Sequence, residues 1–148
     1  MKTTIDKQFL PILEQVFDPE IPVLSILDLG IVQSAQKINE VVHVKITPTY
    51  SGCPAMDVIG DDINIALKNA GYNSKVVLVL SPAWTSDWIS EKGKAALRAY
   101  GVAPPLSPEA DKAALLGNKK IVNCTHCGSP NTKLISQFGS TACKALFQ

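Results

Sequence analysis

Four cysteines, Cys53, Cys124, Cys127 and Cys143, are the residues of this chain best suited to chemistry. Cys53 stands by itself in the stretch TYSGCPAMDVIGDDI, residues 49–63, between Gly52 and Pro54. Pro54 fixes φ and needs no amide partner, so it suits the first position of a helix with Cys53 as the cap. A thiol placed there lies near unpaired backbone amides and the positive end of the helix dipole, and both favour thiolate. Gly52 removes a side chain and lets a ligand or a neighbouring backbone come close. These local features leave two readings open: a functional thiol, or a small residue required where strand turns into helix. His43 is the candidate base for a thiol enzyme. Its alternation with Val42 and Val44, however, places it on the exposed side of a strand, as a solvated histidine.

The other three cysteines lie in the tail CTHCGSPNTKLISQFGSTACKALFQ. Cys124 and Cys127, followed by Gly128, form a knuckle in which the glycine allows the sharp turn that aims two sulfurs at one metal. Such a knuckle normally meets a second Cys-x-x-Cys across a small hairpin, and here only Cys143 follows. Tetrahedral zinc takes four ligands, and His126, inside the knuckle, is poorly placed to be the fourth. A thioredoxin-like role would need a strand-to-helix setting that this tail lacks. The expectation is weak or absent structural metal and a mobile C-terminus after about residue 118, because metal binding and folding are coupled in such modules.

Asp18, Glu20 and Asp28 could act as paired carboxylates, but Asp18-Pro19-Glu20 is also ordinary turn chemistry and Asp28 is placed to cap a loop. Structural roles are expected for all three unless the fold gathers them beside Cys53. Trp84 and Trp88 flank the start of a helix, one expected in the core and one beside Pro82-Ala83 at a surface. Two aromatics do not make a stacking platform for nucleic acid.

The elements that must position these residues are legible from periodicity. Leu10 to Val16 reads as a short helix whose start is blurred by Pro11. The segment FDPEIP then opens an irregular stretch ending at DLGIV. Ile31–Ile38 and Val41–Thr47 read as strands joined by a two-residue turn at Asn39-Glu40, the second strand alternating apolar and polar. Ile59, Ile63, Ala66, Leu67 and Ala70 stripe a helix over 54–70 that Gly71 stops. The run SKVVLVLSP reads as a strand near 75–80 covered on both faces. A last helix near 86–100 takes Thr85 or Ser86 as cap and Gly101 as stop. The order predicts an α/β sandwich, a three-stranded sheet with helices on one face. Pro104, Pro105 and Pro108 stiffen a connector that holds a short helix bracketed by Ser107 and Gly117. The chain therefore divides into a domain over 1–101, a linker over 102–120 and an incomplete zinc-ribbon-like module over 121–148.

With 148 residues, 46% hydrophobic and 18% charged, the sequence suits a folded core and not a disordered chain. A net charge of +1 with scattered Lys and Arg argues against nucleic-acid binding. No apolar run reaches the ~20 residues that span a bilayer, and MKTTIDKQFL lacks the apolar stretch of a secretory signal. A cytoplasmic setting is expected, where cysteines serve metal or thiol chemistry before disulfides.

Three stretches, DPEIPVLSILDLGIV, TPTYSGCPAM and SPAWTSDWIS, resemble in order and spacing the iron–sulfur assembly domain family that includes SufT-type proteins. The tail CTHCGSPNTKLISQFGSTACKAL narrows the resemblance to PaaD-type proteins, the small subunit encoded with a phenylacetyl-CoA ring epoxidase. The resemblance implies an α/β assembly-domain fold and a non-catalytic role in maturing iron–sulfur or di-iron enzymes of phenylacetate degradation. The implied clients are the epoxidase subunits or the iron–sulfur reductase that serves them. By motif match Cys53 corresponds to the family's principal functional cysteine, holding iron or a cluster transiently. Asp18, Glu20, Asp28, Thr47 and Thr49 fall in the motifs around it. The family pattern runs beyond Leu146-Phe147 into a second Cys-x-x-Cys, and this chain stops at Gln148. In that fuller pattern two knuckles supply four zinc ligands without Cys143, and a shortened chain or a reduced ribbon accounts equally for the difference. Against a carrier stand an integral subunit of the epoxidase complex and a thiol enzyme using Cys53 with His43. The carrier is favoured, and a homodimer that shares a cluster between two Cys53 thiolates is compatible with it.

Overall fold

The computed structural model describes residues 3–50, 52–105, 116, 121–136 and 144–148. A 3-10 turn, Lys7–Phe9, leads into α1 (Leu10–Leu13), where Pro11 sits in the first turn that tolerates it. The predicted helix through Val16 ends early. Gln15 and Val16 donate to carbonyls three residues back, at 3.3 and 3.1 Å, which tightens the last turn. The expected irregular segment contains one further helical turn, α2 (Ile26–Leu29), capped by Ser25 and closed by Gly30 at φ 77°.

β2 (Val32–Ile38) and β3 (Val41–Ile46) form the predicted hairpin. Asn39 and Glu40 both take positive φ, 48° and 65°, the geometry that lets a two-residue turn follow the twist of its strands. A Lys37–Glu40 ion pair of 2.8 Å closes the turn at the surface. From β3 the chain passes through α3 (Ala55–Asn69) into β4 (Asn73–Leu78), which lies parallel to β3. The helix begins one residue later than expected, with Pro54 in the cap position and Cys53 just ahead of it.

Among the described residues the sheet has four strands, not the three expected. β1 (Thr4–Ile5) adds to β2 in parallel, giving the order β1-β2-β3-β4. Two residues are too few to show a periodicity, so this strand left no pattern in the sequence. β4 also departs from expectation. It is an edge strand with Lys75 and Val77 exposed, whereas its uniform apolar run suggested cover on both faces. Such a run does not tell a covered strand from an edge.

The predicted helix over 86–100 is broken in two. Ser86–Trp88 forms a 3-10 turn, Ile89 and Ser90 are extended, and α4 (Glu91–Tyr100) starts under a cap from Ser90, which accepts from the Gly93 amide at 2.9 Å. The extended step turns Ile89 into the core, where it is buried. Neither Thr85 nor Ser86 caps α4.

Phe9 and Leu13 join Leu24, Ile26, Ile31, Val42, Val44 and Ile46 from the sheet side and Ile59, Ile63 and Leu67 from α3 in one core. Phe9 meets Tyr72 edge to face, with centroids 5.2 Å apart. Beyond the connector, β5 (Leu134–Ser136) pairs antiparallel with β6 (Leu146–Phe147), a small sheet on the tail. The connector helix expected between Ser107 and Gly117 lies outside the described residues, as does Cys143.

Gly30 is the tightest backbone contact between the two halves of the core domain. A Cβ there would stand 2.7 Å from Trp88 Cβ and strike the Trp88 carbonyl, at a positive φ that side chains resist. Gly71 has a similar φ, 89°, with nothing within 4 Å. Gly30→Ala should therefore lose at least ~2 kcal/mol, and Gly71→Ala only ~1 kcal/mol. Urea unfolding of the two variants separates clash from strain, and equal losses would refute the packing account.

Candidate functional site

Cys53 is presented by the turn between β3 and the long helix α3. Thr47 ends the strand side: it is buried, its amide donates to the Ile31 carbonyl at 2.8 Å, and its hydroxyl accepts from the Gln33 amide. Thr49 is half-buried two residues on. Gly52 then takes φ 79°, with open space where a Cβ would stand. That left-handed step turns the chain onto the helix axis and leaves the approach to Cys53 clear on that side. Cys53 is a free, half-buried thiol packed against the edge of the core, and its carbonyl accepts the Met56 amide at 3.3 Å. The structure thus places a lone sulfur directly before the positive end of a fifteen-residue helix.

The carboxylates do other work. Asp18 Oδ1 accepts the amides of Glu20 and Ile21 at 2.7 and 3.2 Å, which fixes the Asp-Pro-Glu turn. Asp28 is held on three sides. Oδ2 accepts the Ser25 hydroxyl at 2.9 Å, Oδ1 accepts the Ser90 hydroxyl at 2.6 Å, and Lys92 Nζ stands 3.7 Å from Oδ2. Its own carbonyl also accepts the Ser90 amide, so one residue ties α2 to the start of α4. Among the described residues no three His, Cys, Asp or Glu side chains come together to hold a metal, so Asp18, Glu20 and Asp28 do not form such a group with Cys53. His43 is half-buried on β3, with Gln36 and Lys75 as its neighbours in register, on the sheet face away from the Val42–Val44–Ile46 side.

Both tryptophans are half-buried and structural. Trp84 donates from Nε1 to the Leu29 carbonyl at 2.9 Å, and Trp88 lies against Gly30. The sequence carries a local signal for this junction. Ser25-x-x-Asp28 has the spacing of a capping box and Gly30 that of a helix stop, which together mark α2.

In the tail, Gly128 takes φ 73° and its amide donates to the Cys124 carbonyl at 2.9 Å, closing the knuckle turn. The backbone amide of Cys127, then that of His126 at 3.4 Å, and the Cys127 side chain all donate toward the Cys124 sulfur. These donors favour its thiolate and hold its pKa below the usual thiol value. Cys127 is exposed. The turn is shaped to offer two sulfurs to one ion.

A four-stranded α/β domain with a cysteine at the head of its crossover helix, joined to a small cysteine ribbon, defines a class of iron–sulfur assembly proteins. Residues 7–80 match the iron–sulfur cluster assembly protein family, and residues 108–148 match the PaaD zinc beta ribbon domain. The chain belongs to the iron–sulfur cluster assembly protein family, in the branch that carries a PaaD-type zinc ribbon. It is 44% identical to an Escherichia coli (strain K12) protein named as a putative subunit of 1,2-phenylacetyl-CoA epoxidase, over 93% of this chain and 81% of that relative. It is 33% identical to the Fe-S protein maturation auxiliary factor YitW of Bacillus subtilis, over 66% of this chain and 97% of the relative. Among solved structures it is similar to a DUF59 domain from Bacillus anthracis, with a TM-score of 0.56 and 29% identity over 61% of this chain and 88% of that one. A conserved hypothetical protein from Thermotoga maritima gives a TM-score of 0.52 and 29% identity, over 69% of this chain and 100% of that one. No helix among the described residues is long and apolar enough to cross a membrane.

Two outcomes follow from the geometry. Asp28→Ala would leave the Ser25 and Ser90 hydroxyls without their acceptor and should lower stability by ~2 kcal/mol, whereas Ser90→Ala should cost ~1 kcal/mol through the cap. An Asp28→Ala protein of unchanged stability, read by urea unfolding, would contradict the junction role. In metal-free protein, a depressed Cys124 pKa means more thiolate at neutral pH. Alkylation followed by mass spectrometry should modify Cys124 with its half-maximal rate at a lower pH than an ordinary exposed thiol. An ordinary or higher midpoint would contradict the effect of the amide donors.

Proposed function

We propose that this protein is a non-catalytic maturation factor that binds iron or an iron–sulfur cluster through Cys53 and hands it to a client enzyme. The observation that carries this reading is the placement of Cys53: a free thiol before a long helix, beside an open glycine turn, in a chain of this family. A single sulfur supplies one ligand, and among the described residues no three His, Cys, Asp or Glu side chains come together around it. The remaining ligands come from the client, a small thiol or a second copy, so release needs only one protein bond to break. That suits hand-over better than storage. Thr47 and Thr49 set the strand end from which the thiol is offered, and Asp18, Glu20 and Asp28 hold the neighbouring turns.

The client is the phenylacetyl-CoA epoxidase system, its subunits or its iron–sulfur reductase. The name of the Escherichia coli relative supports the pathway, and the names of the shorter relatives support maturation. Two family matches, over 7–80 and 108–148, support a division into an assembly domain and a ribbon, which we set at 1–101 and 121–148 with a linker over 102–120. In the ribbon, Cys124 and Cys127 supply two zinc ligands, with Cys143 a further candidate. We place the protein in the cytoplasm. The second reading, an integral structural subunit of the epoxidase, is favoured by the name of the Escherichia coli relative, which makes that protein a subunit. A stoichiometric complex that survives purification would select it.

Cys53→Ser keeps nearly the same volume, so thermal unfolding should shift by no more than ~1 kcal/mol. Anaerobic reconstitution with iron and sulfide, followed by visible absorption, should show cluster loading lost. Epoxidase maturation in cells carrying the variant should collapse with it. A variant that still supports active epoxidase would sink the carrier mechanism, and a large loss of stability would show Cys53 to be a packing residue.

A further inference from the structure

The free edge of the sheet is unusually bare. Among the described residues β4 pairs with β3 alone. The Val79 amide donates to the Ile46 carbonyl at 2.9 Å, so in this parallel ladder the main-chain groups of residues 73, 75, 77 and 79 face β3. Those of Ser74, Val76, Leu78 and Leu80 point outward. The strand is apolar from Val76 to Leu80, with Val77 39%, Leu78 50% and Leu80 65% exposed. Soluble proteins blunt such edges with prolines, bulges or several charges. Residues 73–80 hold no proline, the register of 73–78 with β3 is unbroken, and Lys75 is their one charge.

We propose that this edge is the contact between two copies of the chain, β4 pairing antiparallel with its own copy about a two-fold axis at Val77. A strand is the required occupant, because among the described residues the outward amides and carbonyls of β4 pair with no other strand. The sequence selects a second copy over a foreign strand. With the axis at Val77, Val76 lies across from Leu78 and Ser74 from Leu80, so all four outward residues exchange hydrogen bonds within the pair. Val77 meets Val77, and Lys75 falls across from Val79 instead of another lysine. An axis at Lys75 would set like charges directly opposite, which is unfavourable. The symmetric pair closes on itself, as a two-fold contact must, and joins two four-stranded sheets into one of eight strands. A strand pair of this length buries less than the ~1,000 Å² of a stable interface, so the dimer forms and dissociates with concentration. The inference rests on the sheet edge and does not depend on metal at Cys53.

Sedimentation velocity from about micromolar to about hundred-micromolar protein reads this directly. The full chain should pass from monomer to dimer across that range. Val77→Lys, at an exposed position, should weaken dimerisation at least ~10-fold with unchanged circular dichroism. An equimolar mixture of Val77→Lys and Val77→Asp should regain the dimer, since opposite charges then meet at the axis. A wild-type chain that stays monomeric throughout overturns the proposal. So does a dimer that ignores Val77→Lys, or one lost on chelation of metal, which would place the contact in the ribbon. Failure of the mixture to associate would also overturn the self-paired register.

Discussion

One carboxylate joins the parts of the core domain that the chain does not keep adjacent. Asp28 lies in the single turn of α2, and Ser90 lies sixty-two residues later at the head of α4. The link is double, since the Asp28 side chain takes the Ser90 hydroxyl while its main-chain carbonyl takes the Ser90 amide. Ser90 in turn caps α4 through the Gly93 amide, and Gly93 allows the approach, since a Cβ there would stand 3.1 Å from Asp28 Cβ. Beside this node Gly30 admits the Trp88 backbone, and Trp84 reaches the Leu29 carbonyl. Among the described residues no buried side-chain nitrogen or oxygen is left without a partner. A partly satisfied polar junction would cost more than an apolar one, so the node, the glycines and the tryptophans stand or fall together.

This explains why the acidic residues near the motifs mislead when read for chemistry. Asp18 and Asp28 are the residue types that bind metals, and both use their oxygens on neighbouring amides and hydroxyls. The chemistry of a carboxylate is identical in the two roles, and the difference lies in which donors the fold brings within reach. Local spacing can reveal a capping box. It cannot reveal a hydroxyl sixty-two positions away.

The legible parts of the fold were those set by local periodicity and turn chemistry. The β2–β3 hairpin follows from alternation and a two-residue turn, and α3 follows from an apolar stripe between Pro54 and Gly71. What the sequence hid was set by neighbours. β1 is too short to carry a pattern, and β4 reads as buried because nothing in its own residues says that, among the described residues, it lies at the edge of the sheet. The break before α4 was hidden because Thr85 and Ser86 are good caps in isolation. Ser90 prevails because it also serves Asp28 and lets Ile89 enter the core. For the site, Gly52 and Pro54 marked the start of α3 in the sequence, while the structure puts Pro54 and not Cys53 in the cap position and gives Gly52 a left-handed step that the sequence did not foreshadow.

The two cysteine regions are built for different residence times. In the knuckle, two sulfurs lie three residues apart on one tight turn, and the amides of Cys127 and His126 favour the Cys124 thiolate. An ion held by several ligands of one small hairpin leaves only when all of them let go, which is why structural zinc contributes to folding outright. Cys53 has the opposite arrangement. It is a single ligand on a rigid helix end, with the core behind it and open space beside Gly52. The helix fixes where the sulfur points, and among the described residues no three metal-ligating side chains gather there, which on the proposed reading keeps the protein's hold on its cargo loose. On the proposed reading the assembly domain gives its cargo away, whereas the knuckle offers both Cys124 and Cys127 to one ion. The number of ligands that the backbone brings together separates these tasks more sharply than the chemistry of the sulfur, which both regions share.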